Sequence, residues 1–525
     1  GNTSGQFGSF ASIIAVIRNQ RGAVVVRRSE LRQDTFAKYA RFFNTWGSGS
    51  WGPNVVVFGP VHSNQGIALT NAAPGVTFWG PVTAVGAITN QARGNWRGGV
   101  TTGVAAIPYP TTQSLTNLQS FATAGQTVVA GYANTTANDP DVRIEFVAID
   151  LNGDGDVLDD GEGFFRIYRA KSGGTATLQQ QRRNVVTARF FTTGVTYPGG
   201  TSALSDPNLF SPNCGGSSGL AGGAWLTADS IMKISTATTT QRVADVQAAL
   251  TSSTRHCYLG GDAHLYGTTG NPGLPQYVTG DAWGDYDVWP GWGGAPPANL
   301  VTAIGTAGVS GAVPTSGNAT AVASTFWPLS RIQNPNFKGI IYVTGSVAVS
   351  GTLSGRVTVV AQGNIILPDD ITYAQPPNTN CADMLGLLTT NDAWLEDNNV
   401  NGIFKVANSW TVAFDDTPNE TFDAFILTLG NLFGENLVGG ESVIAPENCG
   451  GTSRGCKSVV GGTMEQSMTT TFSGNTGWAE QDTYDNCGKT APPPYFPSTG
   501  RYVRNRYYEI DPVGFTVAGW FAANQ

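Results

Sequence analysis

The sequence predicts a mainly β fold: a β-solenoid or β-helix-like body carrying an inserted β-rich lobe, with a short N-terminal helix. Short apolar runs punctuated by glycine are the first sign, with 68 glycines and 28 prolines in 525 residues. Recurrence at a fixed step is the second: FGPV (58–61) returns as WGPV (79–82) 21 residues later, and GSVAV (345–349) is echoed by GNIIL (363–367) after 18. The third is RVTVV (356–360), whose branched residues stand on one face and small or polar ones on the other. Steps of about 20 residues with glycine at the corners suit a stack of short-stranded turns, because each turn buries its apolar face only against the next. A β-sandwich with strands of similar length is the competing architecture.

The elements follow in order. SIIAVI (12–17) and GAVVVRR (22–28) flank the turn-like Arg18-Asn19-Gln20-Arg21 and form a hairpin or two extended strands. DTFAKYARFF (34–43) fits a helix capped by Asp34 or Thr35, with Phe36, Tyr39, Ala40 and Phe43 on one face. Residues 1–50 are therefore expected to be N-terminal strands and a helix serving as an assembly arm, and 51–100 the first solenoid coils. Residues 101–330 break the rhythm and form the inserted lobe. There VRIEFVAI (142–149) and FFRIYR (164–169) are strongly alternating strands, VVTARFF (185–191) is a third, and TADSIMKI (227–234) and TQRVADVQAAL (240–250) are helix candidates. Residues 331–445 carry the main coils, and 446–525 a strand-containing C-terminal cap.

Composition bounds the function. Charged residues make up only 13% of the chain and the net charge is −8, which excludes nucleic acid as a partner, since phosphate neutralisation needs a surplus of Lys and Arg. Against that acidity, the first 41 residues hold Arg18, Arg21, Arg27, Arg28, Arg32, Lys38 and Arg41, either a solvated surface or a basic docking surface for an acidic neighbour. No apolar run is long enough to span a bilayer, and no leader is visible, so the expectation is an exported, processed chain without a membrane span. Six cysteines in a charge-poor chain suit disulfides and an oxidising compartment. Cys449 and Cys456 bracket the short loop CGGTSRGC; Cys214–Cys257 and Cys381–Cys487 are then the simplest remaining pairs. Zinc is the rival use of cysteine, but no CxxC exists and only three His are present.

The strongest chemical signal is DLNGDGDVLDDGEG (150–163). Asp150, Asn152 and Asp154 occupy alternate positions before Gly155, as a calcium loop begins, with Asp156 offering its carbonyl. The twelfth position is Gly161 where a bidentate Glu is usual, so Asp159, Asp160 or Glu162 would have to substitute. Carboxylates this dense repel without a cation. The reading is a Ca2+-bound β-hairpin loop, with a solvated acidic loop as the alternative. GGSSG (215–219) lacks the strand–helix context of a nucleophile elbow. His62, beside a turn, suits a hydrogen-bonded structural role. Asp369-Asp370 could be the two carboxylates a polysaccharide hydrolase needs at fixed separation, but no Gly-His-Gly or Arg-x-Lys element stands beside them, and turn chemistry after Pro368 explains the pair. Trp283, Trp289 and Trp292 in DAWGDYDVWPGW resemble a sugar-binding surface, or rings packed under a loop.

DTFAKYARFFN, GPVHSN (59–64), LNGDGDVLDDGEGFFRIYR and GIIYVTGSVAVSGTLSGRVTVVAQGNIILPDDITY together resemble the bacterial surface proteins associated with type IV pilus assembly, the PilX-like group with a solenoid-like body. The resemblance covers about half of the chain and is most specific in the last segment. It implies a cell-surface location and transfers no catalytic residue. The expected function is that of a non-enzymatic extracellular subunit of a cell-surface filament or pilus-like appendage, with copies of itself as partners. Ile13, Ile14, Val16, Val24, Val25 and Val26 would pair with a sheet edge of the next subunit. A polysaccharide-active β-helix enzyme and an adhesin binding surface glycans are the alternatives.

Overall fold

The repeated sequence steps are strand pairings. Val61–Ser63 lies parallel to Val82–Ala84 with Val61 opposite Val82, and Val347–Leu353 lies parallel to Ile365–Leu367 with Val347 opposite Ile365. The computed structural model describes residues 2–6, 8–130, 142–154, 156–170, 286–288, 294–306, 323–324, 326–367, 370–395, 403–406, 409–412, 420–434, 456–469, 472–473, 476–477 and 479–523. The protein is mainly β, as the sequence predicts, and none of its several sheets closes on itself.

Ten strands form one sheet in which every pairing is parallel. Its order is Val100–Thr102, Val82–Ala84, Val61–Ser63, Arg41–Thr45, Gly462–Ser467, Phe425–Thr428, Met384–Thr389, Arg356–Ala361, Ile340–Val343 and Val128–Val129. Chain order is thus interrupted at a seam, where Thr463 of a late strand is opposite Arg41 of the first. The early strands grow away from the seam in one direction and the late strands in the other.

Alternation explains why both faces of these strands are apolar. Ile341, Val343, Val357, Val359, Leu385, Leu387 and Ile426 point into the aliphatic core, and Ile340, Tyr342, Val360, Met384, Leu388, Phe425 and Leu427 into a second cluster on the opposite face. Two stretches of chain cover that second face. One passes from the end of Val100–Thr102 back across the sheet, placing Ile107 against Asn64 and the Tyr109 hydroxyl on the Thr428 carbonyl at 2.7 Å, and ends in the helices Thr112–Thr116 and Gln119–Ala124. The other carries Tyr484, Cys487 and Phe496, and is joined to the sheet by Arg356, which donates to the Ala491 and Pro492 carbonyls.

Two further sheets complete the cores: the larger faces the aliphatic core, and the smaller faces a separate cluster of Phe43, Trp51, Val61, Phe78 and Val82. In the larger, Val142–Ala148 pairs parallel with Val347–Leu353 and antiparallel with Gly163–Ala170, and the late strands Glu420–Phe422, Cys456–Val459 and Ala479–Glu480 succeed one another in parallel. The other is Gly94–Trp96, Val76–Phe78 and Val56–Val57, again parallel. The ten-stranded sheet crosses the seam. The flanking sheets do not: one stops at Val56–Val57 and the other at Ala479–Glu480.

The recurrent glycine of FGPV and WGPV has a steric cause. A Cβ on Gly80 would stand 2.0 Å from the Gly59 carbonyl oxygen, and one on Gly98 would stand 2.1 Å from the Gly80 carbonyl carbon. The three glycines stack backbone on backbone where the layers come closest, and Gly59 also has φ +85.

The helix expected over 34–43 is not formed. A single 3-10 turn, Phe36–Lys38, leads into the strand Arg41–Thr45. Backbone pairing overrides local periodicity: the Ala40 amide donates to the Pro60 carbonyl at 2.8 Å, and the Ala40 carbonyl accepts from Thr463 at 2.9 Å. Phe36, Tyr39 and Phe42 still meet in one cluster, but through a turn and a strand.

The chain ends form a separate antiparallel sheet ordered Asn2–Gly5, Gly8–Arg18, Val24–Thr35 and Ser498–Ile510. The hairpin of 12–28 is therefore present, with the C-terminal strand as its third member. The proposed strand 185–191, the helix candidates of 227–250, the pairs Cys214–Cys257 and Cys449–Cys456 with the Cys456 side chain, GGSSG, Asp369, and Trp283, Trp289 and Trp292 lie outside the described residues.

Candidate functional site

Where the flanking sheets fail to meet, a cavity of about 720 Å³ opens beside the seam. One wall comes from the early strands: Phe43, Trp51 and the edge residues Val56, Val57 and Phe58. The other is polar and comes from the late strands: Glu465, Glu480, Asp482 and Thr483. Alternation along Arg41–Thr45 sends Phe42 to the covered face and turns Arg41 and Phe43 toward the cavity.

Arg41 is the hub of its charges. Its Nη1 donates to Thr463 Oγ1 at 2.8 Å and lies 3.8 Å from Glu465; its Nη2 meets Glu480 at 3.0 Å and contacts Asp482. Lys457, buried, bonds Glu480 at 3.2 Å and Asp482 at 3.1 Å. Burial opposes the Arg41 charge, but Asp482, Glu480 and Glu465 outweigh it and hold the guanidinium more firmly protonated than usual. Glu465 is the poorest served. Burial pushes its carboxyl up to about 7, outweighing the opposing Arg41 charge, the Leu432 amide, the Thr469 hydroxyl and the Lys457 charge. Three carboxylates and Arg41 thus line a half-apolar cavity, with Lys457 buried behind two of them. Sequence reasoning noted Arg41 only as one of a basic series and missed the other four. The available signal was Lys457 and Glu465 standing in apolar strands of a chain with 13% charged residues.

The acidic loop closes the hairpin Val142–Ala148/Gly163–Ala170. Asp150 Oδ1 accepts from the Gly153 amide at 2.6 Å, and Asn152 donates to Asp154 at 3.0 Å and Asp159 at 2.5 Å. Glu162 is turned inward: its two oxygens accept from the Leu151 amide at 2.8 Å and the Asp159 amide at 3.1 Å, and burial raises its pKa. Asp156 and Asp160 are exposed. Among the described residues no three acidic, His or Cys side chains are grouped so as to hold a metal ion.

Asp370 belongs to a set of buried carboxylates that cap backbone amides at the turns between late strands. Asp370 accepts from Thr421 at 2.6 Å, Asp423 from Tyr373 at 2.9 Å, and Asp383 from Gly355 at 2.6 Å and Gln375 at 2.7 Å. Burial pushes Asp423 up to about 7 and Asp383 to about 6. His62 is held between Thr83 at 2.8 Å and Asn64 at 2.9 Å and stacks on Phe42, a structural role. Cys381 and Cys487 are bonded, the pairing expected from sequence.

Of the residues assigned to assembly, Ile13, Val16 and Val25 are exposed, Ile14 and Val24 half-buried, and Val26 buried. Directly opposed residues of an antiparallel sheet share a face, so Ile13, Ile17, Val25, Tyr502 and Tyr507 stand together on one uncovered side. The other side carries Val26 and Arg28, with Trp520 of the helix Val517–Ala523 stacked on the guanidinium. No family model, curated protein or solved structure matches the chain.

Proposed function

We propose that this chain is a structural subunit of an extracellular, self-assembling surface filament, with a β-solenoid body that serves as a stiff spacer. The observation that carries the reading is the terminal sheet, whose uncovered face presents Ile13, Ile17, Val25, Tyr502 and Tyr507 together. Exposed apolar side chains gathered on one face, here interleaved with the exposed Arg27, Glu509 and Arg504, suit a contact surface. The runs of parallel pairings at steps of 18 and 21 residues support the solenoid body. The Cys381–Cys487 bridge and the likeness of the sequence segments to pilus-associated surface proteins support a location outside the cytoplasm. Calcium at Asp150, Asn152, Asp154, Asp156, Asp159 and Asp160 would relieve the repulsion of the loop and stiffen it, with Glu162 closing the turn from inside.

Electron microscopy and sedimentation of the purified chain, with calcium and with chelator, test this. Filaments or an extended concentration-dependent series of oligomers are expected, and calcium should raise the melting temperature. A particle that stays monomeric at all concentrations would sink the filament reading. An unchanged melting temperature would remove calcium from it.

A further inference from the structure

Resting on the filament reading, we infer that the interface is heterologous: the basic hairpin of one copy seats in the acid-floored seam groove of the next. The two halves are complementary in charge. Strands Gly8–Arg18, Val24–Thr35 and Ser498–Ile510 with the intervening turn hold eight arginines and three carboxylates, in a chain of net charge −8. Arg18 and Arg21, at the hairpin end, make no ion pair among the described residues. The groove lining has the opposite balance, three carboxylates, Glu465, Glu480 and Asp482, to the one cation Arg41, with Lys457 buried behind Glu480 and Asp482.

They are also complementary in shape and polarity. Ile17 is 64% exposed beside those arginines. Across the gap, Val56 and Phe58 are exposed at the groove rim, and Trp79 continues the apolar lip one layer on. Val56–Val57 ends its sheet, so its outer edge faces the gap, and an extended segment can add there by backbone pairing. The cavity has the size of sites that take whole side chains. A hairpin and a groove are different surfaces of one chain; two copies that exchanged both reciprocally would close as a dimer, whereas copies that use one of each per contact do not close. They propagate head to tail, the arrangement an open filament requires.

The test mixes two variants of the full chain. Ile17→Glu spoils the hairpin and leaves the groove intact; Val56→Arg spoils the groove and leaves the hairpin intact. Both positions are exposed, and circular dichroism should show both variants folded like the wild type. Sedimentation velocity should then show wild-type polymers, each variant alone monomeric with at least tenfold weaker association, and the equimolar mixture stopping at a one-to-one dimer. Arg21→Glu should reproduce Ile17→Glu by charge alone. If the wild type polymerises and either variant polymerises equally well, or if the mixture stays monomeric, the hairpin–groove pairing is overturned while the filament reading stands. A wild type that never associates overturns the filament reading and this interface with it.

Discussion

Between Arg41 and Thr102 the core is a column of rings, Phe43, Trp46, Trp51, Phe78 and Trp96, each within 6 Å of the next. Between Ile340 and Ser467 it is dominated by Val, Ile and Leu, with Tyr373 and Phe422 as its rings. The turns differ as well. No Asp or Glu occurs between Asp34 and Asp139, so the early turns are capped by amides and hydroxyls: Asn64 accepts from Ile107, and Asn90 donates to the Leu69 carbonyl. The late turns give the same task to Asp370, Asp383, Asp392 and Asp423. One sheet therefore joins a half that keeps its ionisable groups few to a half that buries them. The difference teaches that an amide and a carboxylate are interchangeable as caps in geometry but not in their response to pH.

The sharpest way to break the early half is to remove a ring from the middle of its column. Phe78 is fully buried and stacks at 4.6 Å on Trp96 and 5.2 Å from Trp51. Phe78→Ala should cost about 3–5 kcal/mol, because the rings on either side cannot close the gap. Hydrogen exchange is expected to lose protection over 61–102 while 384–467 keeps most of its own. Equal loss in both halves would mean that the seam transmits the damage whole.

The late half has its own restraint. The Cys381–Cys487 bridge closes a loop with a sequence separation of 106, which contains the strands Met384–Thr389, Phe425–Thr428 and Gly462–Ser467. Its reduction, or Cys381→Ser with Cys487→Ser, should lower stability by about 2–4 kcal/mol, since the loop's freedom returns only to the unfolded chain. Thermal melts with and without reductant measure this. The early strands lie outside the loop and should lose less protection than the late ones.

The parts of this organisation that sequence can show are those fixed by neighbours in the chain. The 18- and 21-residue steps are visible because consecutive layers there have no insertion, and the glycine stack repeats with them. The pairing of Thr463 with Arg41 is invisible, since the residues are held together by the layers between them and by nothing local. That pairing also defeats the expected helix of 34–43, whose apolar spacing is real but is satisfied by a turn and a strand. The acidic loop stands out because its carboxylates are contiguous, whereas the seam cluster draws single residues from 41, 457, 465, 480 and 482. The inward role of Glu162 depends on the loop's path, which composition does not determine.

A change of pH separates the halves by sign. Burial raises Asp423 to about 7, Asp383 to about 6 and Glu465 to about 7, so the folded late half binds protons more tightly than the unfolded chain, whose carboxyls titrate near 3.8 and 4.5. Its stability is complete below those unfolded values and is lost as pH rises through about 6 to 7, by at most about 1.4 kcal/mol per pH unit for each group. His62 works in the opposite direction. Burial lowers its pKa from 6.5, although its bond to Asn64 resists, and the nearby Arg501 and Lys38 charges lower it further. The unfolded chain therefore binds this proton more tightly, and the early half loses stability as pH falls below 6.5. Between pH 7 and pH 5, hydrogen exchange corrected for its intrinsic rate should show strands 384–467 becoming better protected and 61–84 less so. His62→Gln, which keeps a polar partner for Asn64, should abolish the early response alone. If both halves shift together in the wild type, the seam makes them one cooperative unit and the contrast in capping chemistry has no separate thermodynamic consequence.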